Sequence, residues 1–229
     1  GSATVIGDVV GCTGDVTIID CDVPWPTANQ LRDFYRPQTP YPTSVGYSSI
    51  DTFTINPHTV GPIYRNGDLN ICSSSNGGTL TLTDTIYVNG DMNIGGPGCG
   101  GGNGTYTIDM NGQTIYVTGD FEAGNKVTLK GAGAIIVADE IKSFQPIIAH
   151  DDPPPLDLED FLFVMSVSNR LHNFQPTGEF YGSVVGSTRI VIQGNTTLTH
   201  HSPPLGGLNV PTENMGDTTW TARNWSSSQ

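Results

Sequence analysis

The sequence predicts a single-stranded right-handed parallel β-helix: an all-β solenoid with three short strands per rung and a short helical or irregular flap. Three observations predict it. First, one phrase recurs as Ile63-Tyr64-Arg65-Asn66-Gly67-Asp68, Ile86-Tyr87-Val88-Asn89-Gly90-Asp91 and Ile115-Tyr116-Val117-Thr118-Gly119-Asp120, with a worn copy from Ile135 to Glu140. The starts lie 23, 29 and 20 residues apart, the period of stacked units that each bury a hydrophobic face only against the next. Second, the runs between copies alternate strictly, as in Thr79-Leu80-Thr81-Leu82-Thr83. Third, charged residues are 14% of the 229 while Gly numbers 29, which suits short strands cut by tight turns and argues against a helical bundle.

Taken in order, Gly1-Ser2-Ala3 reads as an expression scar. Residues 4–202 are expected to form the solenoid domain, with a proline-rich insertion at about 24–59, and 203–229 a tail with a closing strand. The runs Thr4 to Cys12 and Gly14 to Cys21 are β-rich and cut by Gly-Asp turns. Their Gly-x-Val-Val-Gly frame returns at Gly182 to Gly186, so both are expected to be rungs. Between Pro24 and Pro42, Thr27 can cap a helix of about two turns in which Leu31, Phe34 and Tyr35 make one apolar stripe that would lie against the solenoid. The expectation is a cap or flap over an open solenoid end, where strand edges need cover.

From Phe53 to Glu140 each rung resolves into three strands. Thr79 to Thr83, Ile86 to Val88 and Met92 to Ile94 make one; Thr105 to Ile108, Ile115 to Val117 and Phe121 to Ala123 the next; Val127 to Leu129, Ile135 to Val137 and Ile141 a third. Alternation then sends Leu80, Leu82, Ile86, Val88, Tyr106, Ile108, Ile115, Val117, Val127, Leu129, Ile135 and Val137 inward. Gly90 and Gly119 are expected to supply backbone freedom at a corner. The run Gly95 to Gly104 lacks the Lys-Ser/Thr of a phosphate loop and reads as a bulge from one corner.

The repeat pauses at His150, where five acids fall within residues 151–160. Hard oxygens at this spacing suit Ca²⁺, with Asp151, Asp152, Asp157 and Asp160 as the candidate ligands; no other cofactor and no catalytic residue is expected. The EF-hand pattern is absent and Pro153-Pro154-Pro155 stiffens the centre, so a solvated acidic loop is the plainer expectation. Rungs resume at Phe161 and end near Leu198. His200 and His201 are adjacent and would point to opposite faces of a strand, which suits a surface pair better than a metal site. Trp220 and Trp225 are expected to bury at least one indole against the body.

Four cysteines in a lysine-poor chain fit an oxidising compartment and permit three connectivities. The rung alignment places Cys72 and Cys99 near one corner on adjacent rungs, which leaves Cys12 with Cys21; each bridge would stabilise by about 2–3 kcal/mol. Nine basic against 22 acidic residues give a net charge of −13, which would repel a phosphate backbone. No run of about 18 apolar residues is present.

The stretch from Gly178 to Ser187, continued from Ile190 to His200, resembles the closing rungs of β-solenoid domains in bacterial pilus-assembly, large minor-pilin-like proteins; the Ile-Tyr-Val-x-Gly-Asp phrases and the Trp220 to Ser226 tail resemble them too. The likeness covers 4–20 and about 60–200, and poorly 24–59. It implies a non-enzymatic, extracellular, cell-surface component of structural or adhesive role, the full-length protein being expected to be anchored in the membrane or filament through a hydrophobic N-terminal helix upstream of this segment, with other pilus or surface-filament subunits as partners. Bactofilin-like self-assembling scaffolds share similar rungs. A carbohydrate-active β-helix is the enzymatic alternative, but it needs Asp, Arg or Lys clustered on one face, and Arg and Lys are scarce here. A third expectation is a ligand face formed by Thr79, Thr81, Thr83, Thr105 and Thr107, ordering water or stacking glycans.

Overall fold

The structure, a computed structural model, describes residues 4–6, 27–36, 48–54, 58–96, 99, 104–150, 158–167, 170–186, 189–192 and 197–200. Its strands run parallel and stack as a β-solenoid of about six turns. The first described strand, β1 (Thr4–Ile6), precedes the only described α-helix, α1 (Ala28–Tyr35). The first rung is β2 (Ser49–Asp51), β3 (Thr59–Val60) and β4 (Ile63–Asn66); the second β5 (Leu69–Cys72), β6 (Thr79–Leu82) and β7 (Ile86–Asn89); the third β8 (Met92–Ile94), β9 (Tyr106–Asp109) and β10 (Thr114–Val117). Then come β11 (Phe121–Ala123), β12 (Val127–Lys130) and β13 (Gly133–Val137), followed by β14 (Ile141–Phe144), β15 (Ile147–Ala149) and β16 (Leu162–Ser166). The last described strands are β17 (Arg170–Phe174), β18 (Glu179–Gly186), β19 (Arg189–Ile192) and β20 (Thr197–His200).

Like strands of successive rungs form three sheets of eight, seven and five strands. The recurring phrase sets the register of the eight-stranded sheet: Ile63, Ile86, Ile115 and Ile135 are successive partners. All twelve residues expected to point inward lie in one buried cluster that runs the length of the lumen. Toward the later rungs this lumen is aromatic, with Phe144 stacked on Phe174 at 5.0 Å between ring centroids and Phe180 edge-on to Phe174 at 5.2 Å. Period-two alternation is what concentrates this apolar area inside, and its burial is the main stabilising term.

β1 belongs to the stack, as expected of the N-terminal run. It pairs with β20, so the first described strand lies beside the last described one. The remainder of the two N-terminal runs and the tail with Trp220 and Trp225 lie outside the described residues.

The helix corrects one expectation. Thr27 does cap it, accepting a hydrogen bond from the Gln30 amide while the Gln30 side chain accepts from the Thr27 amide, and Leu31 and Tyr35 are buried. Yet α1 rests on the lateral, outward face of the eight-stranded sheet rather than over an open end. The reason is in the phrase: its tyrosines alternate with the inward isoleucines, so Tyr64, Tyr87 and Tyr116 form a column of large rings on the outside. Leu31 and Tyr35 cover that column, with Tyr35 stacked on Tyr116 at 5.0 Å and the Arg36 guanidinium 3.9 Å from the centre of the Tyr64 ring. The Tyr116 hydroxyl donates to the Ala28 carbonyl at 3.2 Å, and burial pushes the Tyr35 and Tyr116 phenols well above their usual range. Leu31→Ala is therefore expected to lower stability by about 2–5 kcal/mol, read as a fall in the urea midpoint. No described helix is long and apolar enough to cross a membrane.

Candidate functional site

The places where the rung pattern is interrupted are the corners and loops, and the described ones build a polar scaffold. At the corner after the phrase, each aspartate serves the neighbouring rung. Asp91 donates its backbone N–H to Asp68 Oδ1 at 3.0 Å, Asp120 donates to Asp91 Oδ1 at 2.9 Å, and Glu140 donates to Asp120 Oδ1 at 3.4 Å. Beside this column, Asn89 Nδ2 donates to Asn66 Oδ1 at 2.8 Å and the Thr118 hydroxyl to Asn89 Oδ1 at 3.3 Å. Lys142 Nζ lies 2.6 Å from Asp120 Oδ2; hydrogen bonding and charge attraction to that carboxylate raise the lysine pKa.

The glycines of this corner answer to space more than to torsion. Gly67 does take φ +112°, but Gly90 and Gly119 are not among the positive-φ glycines. A Cβ at Gly90 would fall 2.6 Å from the Gly67 carbonyl carbon, and one at Gly119 2.8 Å from that of Gly90. Rungs stack about 4.8 Å apart, and a side chain at these positions would push into the backbone beneath.

The glycine run falls between β8 and β9; of it residues 95, 96, 99 and 104 are described, and Cys99 is tied back by a disulfide. Cys72 and Cys99 are bonded with their Cα atoms 5.3 Å apart, closing a separation of 27 residues. Cys12 and Cys21 lie outside the described residues. By the chain-entropy argument the Cys72–Cys99 bridge contributes about 3.5 kcal/mol, so the Cys72→Ser, Cys99→Ser double variant is expected to show a correspondingly lower thermal midpoint. On the adjoining rung Asp51 Oδ1 accepts from the amides of Phe53 at 3.0 Å and Ser74 at 3.1 Å. Desolvation pulls the other way, but the Ser74 and Phe53 hydrogen bonds together hold this carboxyl below its usual range.

Of the acidic-loop candidates, Asp151, Asp152 and Asp157 lie outside the described residues. Asp160 is buried, and its Oδ1 lies 3.2 Å from His150 Nδ1. His150 Nε2 is 2.8 Å from the Glu179 carbonyl oxygen, which only accepts, so that nitrogen carries a hydrogen. His150 thus ties the start of the loop to β18 and stands beside Asp160 at its end. The signal was the histidine at the loop's start, but the partner, ten residues on, follows no local period. Among the described residues no group of three or more His, Cys, Asp or Glu is arranged to hold a metal ion.

The threonines do share a face. On the five-stranded sheet Thr79, Thr107 and Thr128 are successive partners, as are Thr59 and Thr81, and the second column continues through Asp109, Lys130 and Ala149. Thr59, Thr79, Thr83 and Thr105 are exposed, the middle of the face half-buried. It offers hydroxyls and methyls in register, interrupted by one acid and one base. No protein-family model, curated protein or solved structure matches the chain.

Proposed function

We propose that the chain is a non-enzymatic structural component displayed outside the cell, a rigid solenoid associated with a pilus or similar surface filament and working through its subunits. The observation that carries this reading is the corner column. Among the described residues Asp68, Asp91 and Asp120 form a column of acids at one corner, and each commits Oδ1 to the backbone of the neighbouring rung. Their chemistry is that of a scaffold. The Cys72–Cys99 bridge supports an oxidising compartment, and the resemblance of the closing rungs to minor-pilin-like solenoids supports the filament.

The test is the coding sequence upstream of this segment. A prepilin-type cleavage site followed by about 20 apolar residues supports the reading; a plain secretory signal joined directly to the solenoid overturns it. One observation favours a second reading, a glycan-binding surface: the threonine columns fall in register on one exposed sheet face. Binding on a glycan array that Thr79→Lys and Thr107→Lys abolish would support it, and an array without signal would remove it.

A further inference from the structure

Each of the three corners of the stack carries an asparagine followed by glycine: Asn76-Gly77 between β5 and β6, Asn111-Gly112 between β9 and β10, and both Asn66-Gly67 and Asn89-Gly90 at the corner after the phrase. Such a pair is chemically labile. Glycine has no Cβ to hinder approach, so its backbone nitrogen can reach the asparagine carboxamide carbon. The nitrogen loses its proton and bonds to Cγ, the bond from Cγ to the side-chain nitrogen breaks, and ammonia leaves. Water then opens the succinimide to aspartate or isoaspartate. The reaction needs the glycine nitrogen and the carboxamide carbon free to move together.

We propose that Asn66, Asn76, Asn89 and Asn111 are latent deamidation sites whose chemistry the rung stack holds closed. At three of them both reacting groups are tied to other rungs. Gly67 donates its N–H to the Asn89 carbonyl at 2.9 Å while Asn66 Oδ1 accepts from Asn89 Nδ2 at 2.8 Å. Gly77 donates to the Thr105 carbonyl at 2.6 Å while Asn76 Oδ1 accepts from the Thr105 amide at 3.2 Å. Gly112 donates to the Ala132 carbonyl at 2.7 Å while Asn111 Nδ2 donates to the Leu82 carbonyl at 2.9 Å. The carboxamide of Asn89 is held from both sides, by Asn66 and by the Thr118 hydroxyl.

The corner after the phrase has the most to lose. Deamidation of Asn89 replaces the donor facing Asn66 Oδ1 by an acceptor, which frees the Asn66 carboxamide. It also adds a carboxylate beside the Asp68, Asp91 and Asp120 column of a chain already at −13. One modified residue thus loosens the next.

Peptide mapping by mass spectrometry of the full chain, held at mildly alkaline pH with and without urea, tests this. In the folded chain Asn66, Asn76 and Asn111 are expected to deamidate at least about tenfold more slowly than in urea; equal rates overturn the proposal. Asn89→Ala removes the partner of Asn66 and is expected to accelerate Asn66 several-fold in the folded chain while Asn111, at another corner, keeps its rate. No change at Asn66, or equal acceleration at both, assigns protection to global stability and overturns the local account. Should Asn89→Ala fail to fold, Thr118→Val decides: it removes the hydroxyl bond to Asn89 and keeps the β-branched shape, so Asn89 is expected to deamidate faster, and an unchanged rate overturns the proposal.

Discussion

Phe174→Ala is expected to cost about 3–5 kcal/mol, measured as a fall in the urea midpoint with the slope of the transition unchanged. The side chain is fully buried, stacked on Phe144 across one rung contact and edge-on to Phe180 across the lumen. Truncation removes the transfer free energy of a whole ring, opens a cavity, and breaks two aromatic pairs at once. Its neighbours belong to strands held in parallel register on either side, since Phe174 pairs with Phe144 and with Ile192, so they have little room to collapse into the void. Phe53→Ala is the contrast. That ring is 54% exposed in the turn after β2, and its loss is expected to move stability by no more than about 0.5 kcal/mol.

Gly182→Ala is expected to destabilise by about 3 kcal/mol or more, because the clash is with backbone. Gly182 lies within β18, paired with Leu162 on one side and His200 on the other. A Cβ there would fall 2.0 Å from the Leu162 carbonyl oxygen. Neither strand can retreat without losing register along the sheet. Gly112→Ala separates torsion from clash. It has φ +74° with no atom within 4 Å of a built Cβ, so it should cost only the left-handed strain of about 1–2 kcal/mol. Both variants are compared by thermal midpoint.

Much of the fold was legible because a solenoid writes its architecture locally. The spacing of Ile63, Ile86, Ile115 and Ile135 is the register of a sheet, and alternation around each of them names the lumen residues directly. The Cys72–Cys99 bridge followed from the same alignment. What lies across the period was not legible. That Tyr64, Tyr87 and Tyr116 form an outer column needing the cover of α1 depends on what packs outside a rung, and the repeat encodes only what lies within it. The pairing of β1 with β20 joins segments almost 200 residues apart, far beyond any period of the repeat. His150 and Asp160 meet across an interruption of the repeat, where by definition the pattern is suspended. Gly90 and Gly119 were found at the right place for a different physical reason, because stacking distance is invisible in a single rung's sequence.

Everything proposed for this chain depends on the rungs being stacked in the register described. Thr59, Thr81, Asp109, Lys130 and Ala149 are successive partners in the five-stranded sheet, so the first and last stand four strand spacings apart. Spin labels placed by Thr59→Cys and Ala149→Cys, with the Cys72–Cys99 bridge left intact, measure that span by pulsed electron resonance. The stacked register predicts a single narrow distribution near 20 Å, from four spacings of about 4.8 Å. A broad distribution, or one centred beyond about 30 Å, would contradict the solenoid, since four spacings cannot reach that far.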